Sequence, residues 1–366
     1  MKILFITNVP SPYRVDFFNE LGKKSELTVL FQKLTSDERN NSWGEYKFEN
    51  FTGLFLKGVS TSPDTAFCPS ILLYIEKGRY DHIIIAGICS LTDILAIEYM
   101  KVCNIPYFQE GDGGFEKSGK GIKEKYKKHL LKGAIGYFSS GENYDKYLVR
   151  YGADKNKIYR YPFTSLHENE IVDKLLSKEE KNLLKTKLGI PYKKIILSVG
   201  RFIYSKGYDV LINSAKALTS DIGIYIVGGQ ATEDYIKLKE MLGVKNIQFI
   251  DYKNKYEIFE YYKAADLFVL PTRGDVWGLV INEAMACGLP IITTDRCGAG
   301  LELVKNGENG YIIPTDNIEA ISEKIKIILE DDILRERMGL VSIDIIREYT
   351  IENMVNKHLE ILSLQH

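Results

Sequence analysis

The chain has 366 residues, about twice a typical domain, so two domains are expected. With 45% hydrophobic and 27% charged residues it reads as globular, and a net charge of −1 gives no argument for nucleic acid. Five scattered cysteines, odd in number and without ligand spacing, fit buried thiols in a reducing compartment and count against disulfides or zinc.

The opening run MKILFITNVP is broken by Asn8 and Pro10 and lacks a signal peptide's cleavage region. No stretch reaches the roughly 20 apolar residues of a membrane span, so a cytoplasmic protein is expected. Residues 2–7 read as a central strand, 8–12 as its exit loop and 13–21 as a helix. That loop has no glycine, which counts strongly against a nicotinamide dinucleotide turn. Residues 27–31 and 46–52 are further strand candidates around a polar loop at 35–45. An apolar strand at 82–86 precedes a helix at 91–100. Residues 105–109 run into Glu110-Gly111-Asp112-Gly113-Gly114, glycines and acids at a strand end that suggest an active-site wall.

The stretch 117–132 holds seven lysines (Lys117, Lys120, Lys123, Lys125, Lys127, Lys128, Lys132), with Ile122, Tyr126 and Leu130 at i, i+4 and i+8. A basic amphipathic helix of this kind suits either an anionic membrane surface or docking on the first domain. A strand at 135–139, a helix ending near 151 and a strand at 158–161 close the first half. Residues 164–190 are charged and helical and read as a connector.

The second half opens on a strand at 194–199 with Gly200 at its tip. Arg201 and Lys206 follow in the loop before a helix at 208–218, where two cations and a positive helix end can converge on one anion. Strands at 224–227 and 246–250 lead into Gly228-Gly229 and Asp251-Tyr252. The apolar run 266–270 enters PTRGDVWGLVINEAMACGLP, residues 271–290, which reads as loop, helix and stop, with Gly288 and Pro290 ending the helix. Strand 291–294 completes the unit, residues 296–300 form a short loop, and 309–314 make a late strand. Helices near 317–331, 333–347 and 351–364 finish the chain. A helix start at the carboxyl edge of a parallel sheet readily holds phosphate. Asp275 lies in the loop, and Glu283, eight residues on, suits two ribose hydroxyls.

The run from Asp275 through Trp277-Gly278-Leu279-Val280 to Glu283-Ala284 resembles the donor-binding signature of the family-4 retaining glycosyltransferases. Gly200-Arg201 with Lys206-Gly207 resembles the family's second signature. The first acid of the pair is usually Glu, and here it is Asp275. The resemblance implies the GT-B architecture, two Rossmann-like doubly wound domains facing a central cleft. Residues 1–165 would be the acceptor-side domain, 166–190 a connector and 191–350 the nucleotide-sugar domain, with the C-terminal helix 351–366 packing back on the first. It further implies transfer of a hexose from a nucleotide-diphosphate sugar, for example of UDP, to a glycan or lipid-linked hydroxyl in cell-surface polysaccharide synthesis. Arg201, Lys206, Asp275 and Glu110 are then the catalytic candidates. Gly200, Gly228, Tyr252, Trp277, Gly278, Leu279, Val280 and Glu283 would bind the donor, and Pro12, Tyr13, Arg14 and Asp112 would face the acceptor. Glu110-x-Asp112 also resembles the metal-binding acid pair of the other major glycosyltransferase fold, but the alternation of strands and helices does not suit that fold, and no metal or cofactor is expected. The alternatives are a sugar-nucleotide epimerase of the same fold and a weakly active binding subunit. Peripheral attachment to the cytosolic membrane face is the further expectation for 117–132.

Overall fold

Residues 3–6 and 195–197 are apolar at every position, the pattern of strands covered on both faces, and each run lies at the heart of a parallel sheet. In the computed structural model, which describes residues 1–35, 47–116 and 121–364, the chain divides into two units, Met1–Ser165 with Thr350–His366, and Leu166–Tyr349.

Unit 1 runs β1 (Lys2–Thr7), α1 (Pro12–Gly22), β2 (Glu26–Phe31), β3 (Thr52–Phe55), β4 (Val59–Ser60), β5 (Ala66–Phe67), β6 (His82–Ala86), α2 (Leu91–Val102), β7 (Phe108–Gly111), α3 (Ile122–Leu131), β8 (Gly136–Ser139), α4 (Glu142–Arg150) and β9 (Ile158–Arg160). Its seven-stranded sheet has the order β3-β2-β1-β6-β7-β8-β9, every pair parallel, and β4 with β5 forms a small antiparallel ribbon. Of the strand expected over 46–52, residue 46 lies outside the described residues and only Thr52 is in a strand. Phe48 and Phe51 instead join Phe18, Phe31 and Phe55 in an aromatic cluster, so ring packing outweighs their sheet propensity.

Unit 2 runs α5 (Lys178–Lys187), β10 (Lys194–Val199), α6 (Tyr208–Ser214), β11 (Ile222–Val227), α7 (Glu233–Leu242), β12 (Ile247–Ile250), α8 (Lys255–Ala264), β13 (Leu267–Leu270), α9 (Leu279–Ala286), β14 (Ile291–Thr294), α10 (Gly298–Leu303), β15 (Gly310–Ile313), α11 (Ile318–Glu330) and α12 (Asp332–Ile346). Six parallel strands take the order β12-β11-β10-β13-β14-β15. The stretch 166–190, read above as a connector, lies within this unit. Its α5 is tied down by Lys185 Nζ, 3.0 Å from buried Asp266 Oδ2, which also accepts the Ile195 N–H at 2.9 Å. Burial raises the Asp266 pKa, but Lys181 and Lys185 outweigh it, so the net shift is downward. The helix expected over 208–218 is α only to Ser214 and tightens to a 3-10 turn at Ala215–Ala217. Residues 298–303, read in part as loop, form α10.

The last helix, α13 (Ile351–Ser363), belongs to unit 1. Thr350 caps it, and Ile351, Met354, Val355, His358, Ile361 and Leu362 form its buried face, packed beside α1. In each sheet the strand order reverses about the first strand, giving a switch point where β1 meets β6 and another where β10 meets β13. Ligands of doubly wound sheets bind outside the carboxyl ends of the strands at such points.

Candidate functional site

At the switch point of unit 2, the loop after β10 carries Gly200, Arg201 and Lys206. Gly207 then turns the chain into α6 at φ +68°, and a Cβ there would stand 2.0 Å from the Pro271 carbonyl oxygen. Only glycine permits that approach, which brings the β10 loop against the β13 loop. Thr272 Oγ1 and the Arg273 N–H both donate to the Ser205 carbonyl, at 2.8 and 2.7 Å. Arg273 is clamped by Asp209 (2.9 and 2.6 Å) and Asp316 (2.7 Å), with its guanidinium 4.1 Å from the Tyr204 ring centroid. Arg273 is therefore a brace for the loop.

Held this way, Lys206 Nζ lies 2.5 Å from Asp275 Oδ2, and both side chains are largely buried. Asp275 is fixed through its backbone: its N–H donates to Arg296 O (2.9 Å), and its carbonyl accepts from Gly298 N (3.1 Å). A Cβ at Gly298 would meet Val276 O at 2.2 Å, so the α10 start also needs glycine. Gly278, at φ +97°, caps α9, and the first-turn N–H groups beginning at Leu279 and Val280 lie next to Asp275 in the chain. Glu283, one turn further, accepts the Tyr262 hydroxyl at 2.8 Å, and burial together with that carboxylate pushes the Tyr262 phenol well up. Arg201 is exposed on the same loop as Lys206.

Two donor-side candidates have other work in the structure, and a third lies at the sheet edge. Trp277 is buried, and its Nε1–H donates to Asn282 Oδ1 at 3.0 Å, so its indole is a wedge under the loop and offers no face for a base. Gly228 stands where a Cβ would be 1.9 Å from Gly200 O, an approach of one loop backbone to the next. Tyr252 is half-exposed after β12, at the sheet edge.

In unit 1, the residues Pro12, Tyr13 and Arg14 open α1 after β1, and Glu110 and Asp112 lie at and just beyond the end of β7. Pro12 is exposed. The buried Arg14 guanidinium bridges the Glu110 and Asp112 carboxylates, and Tyr13 OH donates to Asp112 Oδ2 at 3.0 Å. Glu110 is wholly buried; Tyr161 OH donates to Oε1 at 3.3 Å, and His358 Nε2 of α13 lies 3.1 Å from Oε2. Burial would push its carboxyl up, but Arg14 and His358 outweigh that and hold it at about 2. Asp112 shifts the other way, because burial and the neighbouring Glu110 outweigh Arg14. Both Glu110 oxygens are thus engaged within the fold, which suits a residue anchoring α1 and α13 better than one reaching for a transferred sugar.

A cavity of about 290 Å³ opens beside this cluster, walled by the ends of β1, β6 and β7. Residues that sequence reasoning missed line it, among them Asp93, Gln109, Tyr144 and Tyr147. Asp93 carried the only local signal, Ser90 with an acid three residues on, and the two form a capping box on α2. Burial pushes Asp93 up to about 6, against hydrogen bonds from Ser90 and Gln32. No group of three or more possible metal ligands occurs among the described residues.

Of the lysine-rich stretch, residues 117–120 lie outside the described residues. Within α3, Leu130 and Leu131 are buried, while Lys127 Nζ lies 4.5 and 4.2 Å from the Tyr147 and Tyr151 ring centroids. Ile122 is 86% exposed and Tyr126 41%, so the apolar stripe docks only at its C-terminal end. No helix among the described residues is long and apolar enough to cross a membrane.

Residues 180–340 match the family model described as glycosyl transferases group 1. A capsular polysaccharide biosynthesis glycosyltransferase of Staphylococcus aureus, CapM, is 34% identical over 149 residues, 40% of this chain and 39% of that protein. A Campylobacter jejuni N-acetylgalactosaminyltransferase acting on a diphospho-undecaprenol is 26% identical over 257 residues, 66% of this chain and 65% of that protein. A D-inositol 3-phosphate glycosyltransferase of Corynebacterium glutamicum is 34% identical over 175 residues, 44% of this chain and 42% of that protein. The matches thus span from two fifths to just under two thirds of these relatives. Among solved structures, sucrose-phosphate synthase from Thermosynechococcus elongatus superimposes with a TM-score of 0.77 at 16% identity, covering 100% of this chain and 99% of that one. Anabaena HepE in complex with UDP gives 0.78 at 16% identity, with 100% of both chains covered. These likenesses show the fold: two Rossmann-like units of the GT-B type.

Proposed function

We propose that this chain, whose residues 180–340 match the group 1 glycosyl transferases, moves a hexose with retention from a nucleotide-diphosphate sugar to a hydroxyl of a glycan or lipid-linked acceptor in polysaccharide synthesis. One observation carries the reading: Lys206 and Asp275 meet at the switch point of unit 2, beside the start of α9, with Glu283 one turn on. A cation and helix N–H groups there suit a diphosphate, a carboxylate next to the cation suits sugar hydroxyls, and Glu283 suits the ribose. The relatives' printed activities support the same class.

In this reading the bond from the sugar's anomeric carbon to the diphosphate breaks as a bond to the acceptor oxygen forms on the same face. The acceptor's proton passes to a phosphate oxygen, and Lys206, with Arg201, meets the negative charge that the leaving diphosphate gains. Such preorganised charge is often the largest catalytic contribution. We assign that role to the two cations and the helix end, without a metal ion. Exposed Ile122 and Tyr126 among the lysines of α3 support attachment to an anionic membrane surface as a secondary feature. The deciding experiment is turnover of UDP-, GDP- and ADP-sugars by the purified protein. Hydrolysis or transfer of one of them, lost in Lys206→Ala, is the expected result. Failure of every donor to bind or turn over would overturn the reading.

A further inference from the structure

The cavity of unit 1 differs in charge from the donor side, and this bears on what it takes. Among the described residues lining it, Arg14 is the only lysine, arginine or histidine, and three carboxyl groups, Asp93, Glu110 and Asp112, share the wall. Arg14 is 3% exposed, and its guanidinium is already committed to Glu110 and Asp112. The α2 helix end beside the cavity is no anion site either, because Asp93 accepts the Ser90 N–H at 3.1 Å and returns its own N–H to Ser90 Oγ at 2.9 Å. A phosphate or carboxylate placed here would lose its water and face carboxylates with no spare cation.

A second, independent observation points to a ligand with hydroxyl groups. Gln109 is 2% exposed and lines the cavity, yet its Oε1 has no hydrogen-bond partner. A buried polar atom left unpaired costs free energy, so an orphaned oxygen on a residue that lines a cavity calls for a donor. The amide oxygen and nitrogen exchange places by a half-turn of the terminal torsion, which is broad and two-fold, so the group can adapt to a hydroxyl. Tyr144 and Tyr147 also line the cavity, stacked on each other with centroids 5.4 Å apart and 23° between their planes, and the aromatic surface they leave uncovered suits the C–H face of a ring. Asp112, unlike Glu110, is a third exposed, and its oxygens keep lone pairs beyond those that take Arg14 and Tyr13, so a hydroxyl can donate to it. The volume of 290 Å³ is at the small end of ligand pockets, about 300 Å³, which suits one ring better than a chain.

We propose that the cavity bounded by Gln109, Asp112 and Tyr144 is a subsite for a single uncharged, hydroxyl-rich hexose ring, and that it rejects sugars bearing phosphate or carboxylate. This rests on the transferase reading in one respect, that the ring belongs to the acceptor.

The test uses the full chain without donor. Saturation-transfer NMR titrations compare the methyl glycosides of glucose, galactose, mannose and N-acetylglucosamine with the matching 6-phosphates and uronates. At least one neutral glycoside should bind, with its charged counterparts about tenfold weaker or more. Gln109→Leu, close in shape and without polar atoms, should weaken that neutral ligand about tenfold, as for loss of one hydrogen bond from a polar subsite. Asp112→Asn should narrow the gap between neutral and phosphorylated sugar, and it carries the test by itself if Gln109→Leu does not fold. The proposal is overturned if no neutral glycoside binds, if the charged sugars bind as tightly, or if neither folded variant changes binding. Donor hydrolysis, assayed in parallel, separates the two readings. Hydrolysis with no neutral-sugar binding removes only the subsite; neutral-sugar binding with no donor turned over removes only the transferase.

Discussion

Lys206 and Asp275, 69 residues apart in the sequence, form an ion pair at 2.5 Å in the ligand-free chain. Each neutralises part of the other's field, so under the proposed function a diphosphate arriving at Lys206 competes with a carboxylate already there. Asp275→Asn should therefore raise the affinity for bare nucleoside diphosphate while cutting sugar transfer sharply. A partly exposed pair of this kind contributes roughly 1 kcal/mol, or about fivefold in affinity. Calorimetric titration of the cognate nucleoside diphosphate measures it. Affinity that stays the same or falls in Asp275→Asn would show that the carboxylate does not compete for Lys206.

Lys206→Ala removes the charge that, in the proposed mechanism, meets the leaving group. Turnover should fall by a factor on the order of 10² or more, as for loss of one preorganised donor to developing charge. Thermal stability should change little, since the lysine lies in a loop and not in a sheet core. Steady-state transfer at saturating donor, with a melting curve alongside, tests both halves. A near-normal turnover number would remove Lys206 from the mechanism.

Glu110 makes stability depend on acid. Its folded pKa, about 2 against an ordinary 4.5, is depressed, so its ionisation stabilises the fold fully above about 4.5. That contribution drains away as the pH falls from about 4.5 toward 2. The shift corresponds to about 3 kcal/mol at most, and the opposite shift of Asp112 offsets part of it. Glu110→Gln should therefore speed amide exchange in α13 and β7 near neutral pH, through opening of unit 1. Acidifying the wild-type protein below about pH 4 should reproduce the effect, while the variant should respond less. Unaltered exchange in α13 of Glu110→Gln would contradict the anchoring role.

On α3, Lys123, Lys125 and Lys128 are exposed, whereas Lys127 is taken up by the Tyr147 and Tyr151 rings. Changing the three exposed lysines to Glu should abolish flotation with anionic vesicles at low salt and leave donor hydrolysis intact. Each lysine contributes about 1 kcal/mol near such a surface, and salt should weaken the binding of the wild-type protein. If the wild-type protein fails to float with anionic vesicles at low salt, α3 is only a docked surface helix.

The proposed donor side was legible because its candidate residues lie in short contiguous pieces, Gly200 to Gly207 and Pro271 to Pro290, each at a strand-to-helix turn. What those pieces did not reveal was division of labour: Trp277 looks as functional as Asp275 in the sequence, and only contacts with Asp209, Asp316 and Asn282 mark Arg273 and Trp277 as braces. Unit 1 was harder for a different reason. Arg14, Glu110 and His358 meet across 96 and 248 residues, and no local pattern announces such a meeting. Gln109 carries no motif either; its unpartnered oxygen exists only once β7 stands between β6 and β8. Residues 296–300 read as a short loop in the sequence, but α10 starts at Gly298, a glycine needed for the close approach to Val276.

The position of α13 has a consequence for the order in which the chain matures. Unit 2 is contiguous, whereas unit 1 receives its closing helix only after residues 166–349 have been synthesised. A nascent chain that has already emitted both sheets still lacks His358, and the aromatic rings it packs against, Phe17, Phe138 and Tyr161, stay uncovered on the ribosome. The second unit can thus reach its native state before the first, reversing the usual N-terminal-first order of assembly. Until translation of α13, unit 1 is the half that chaperones have reason to hold.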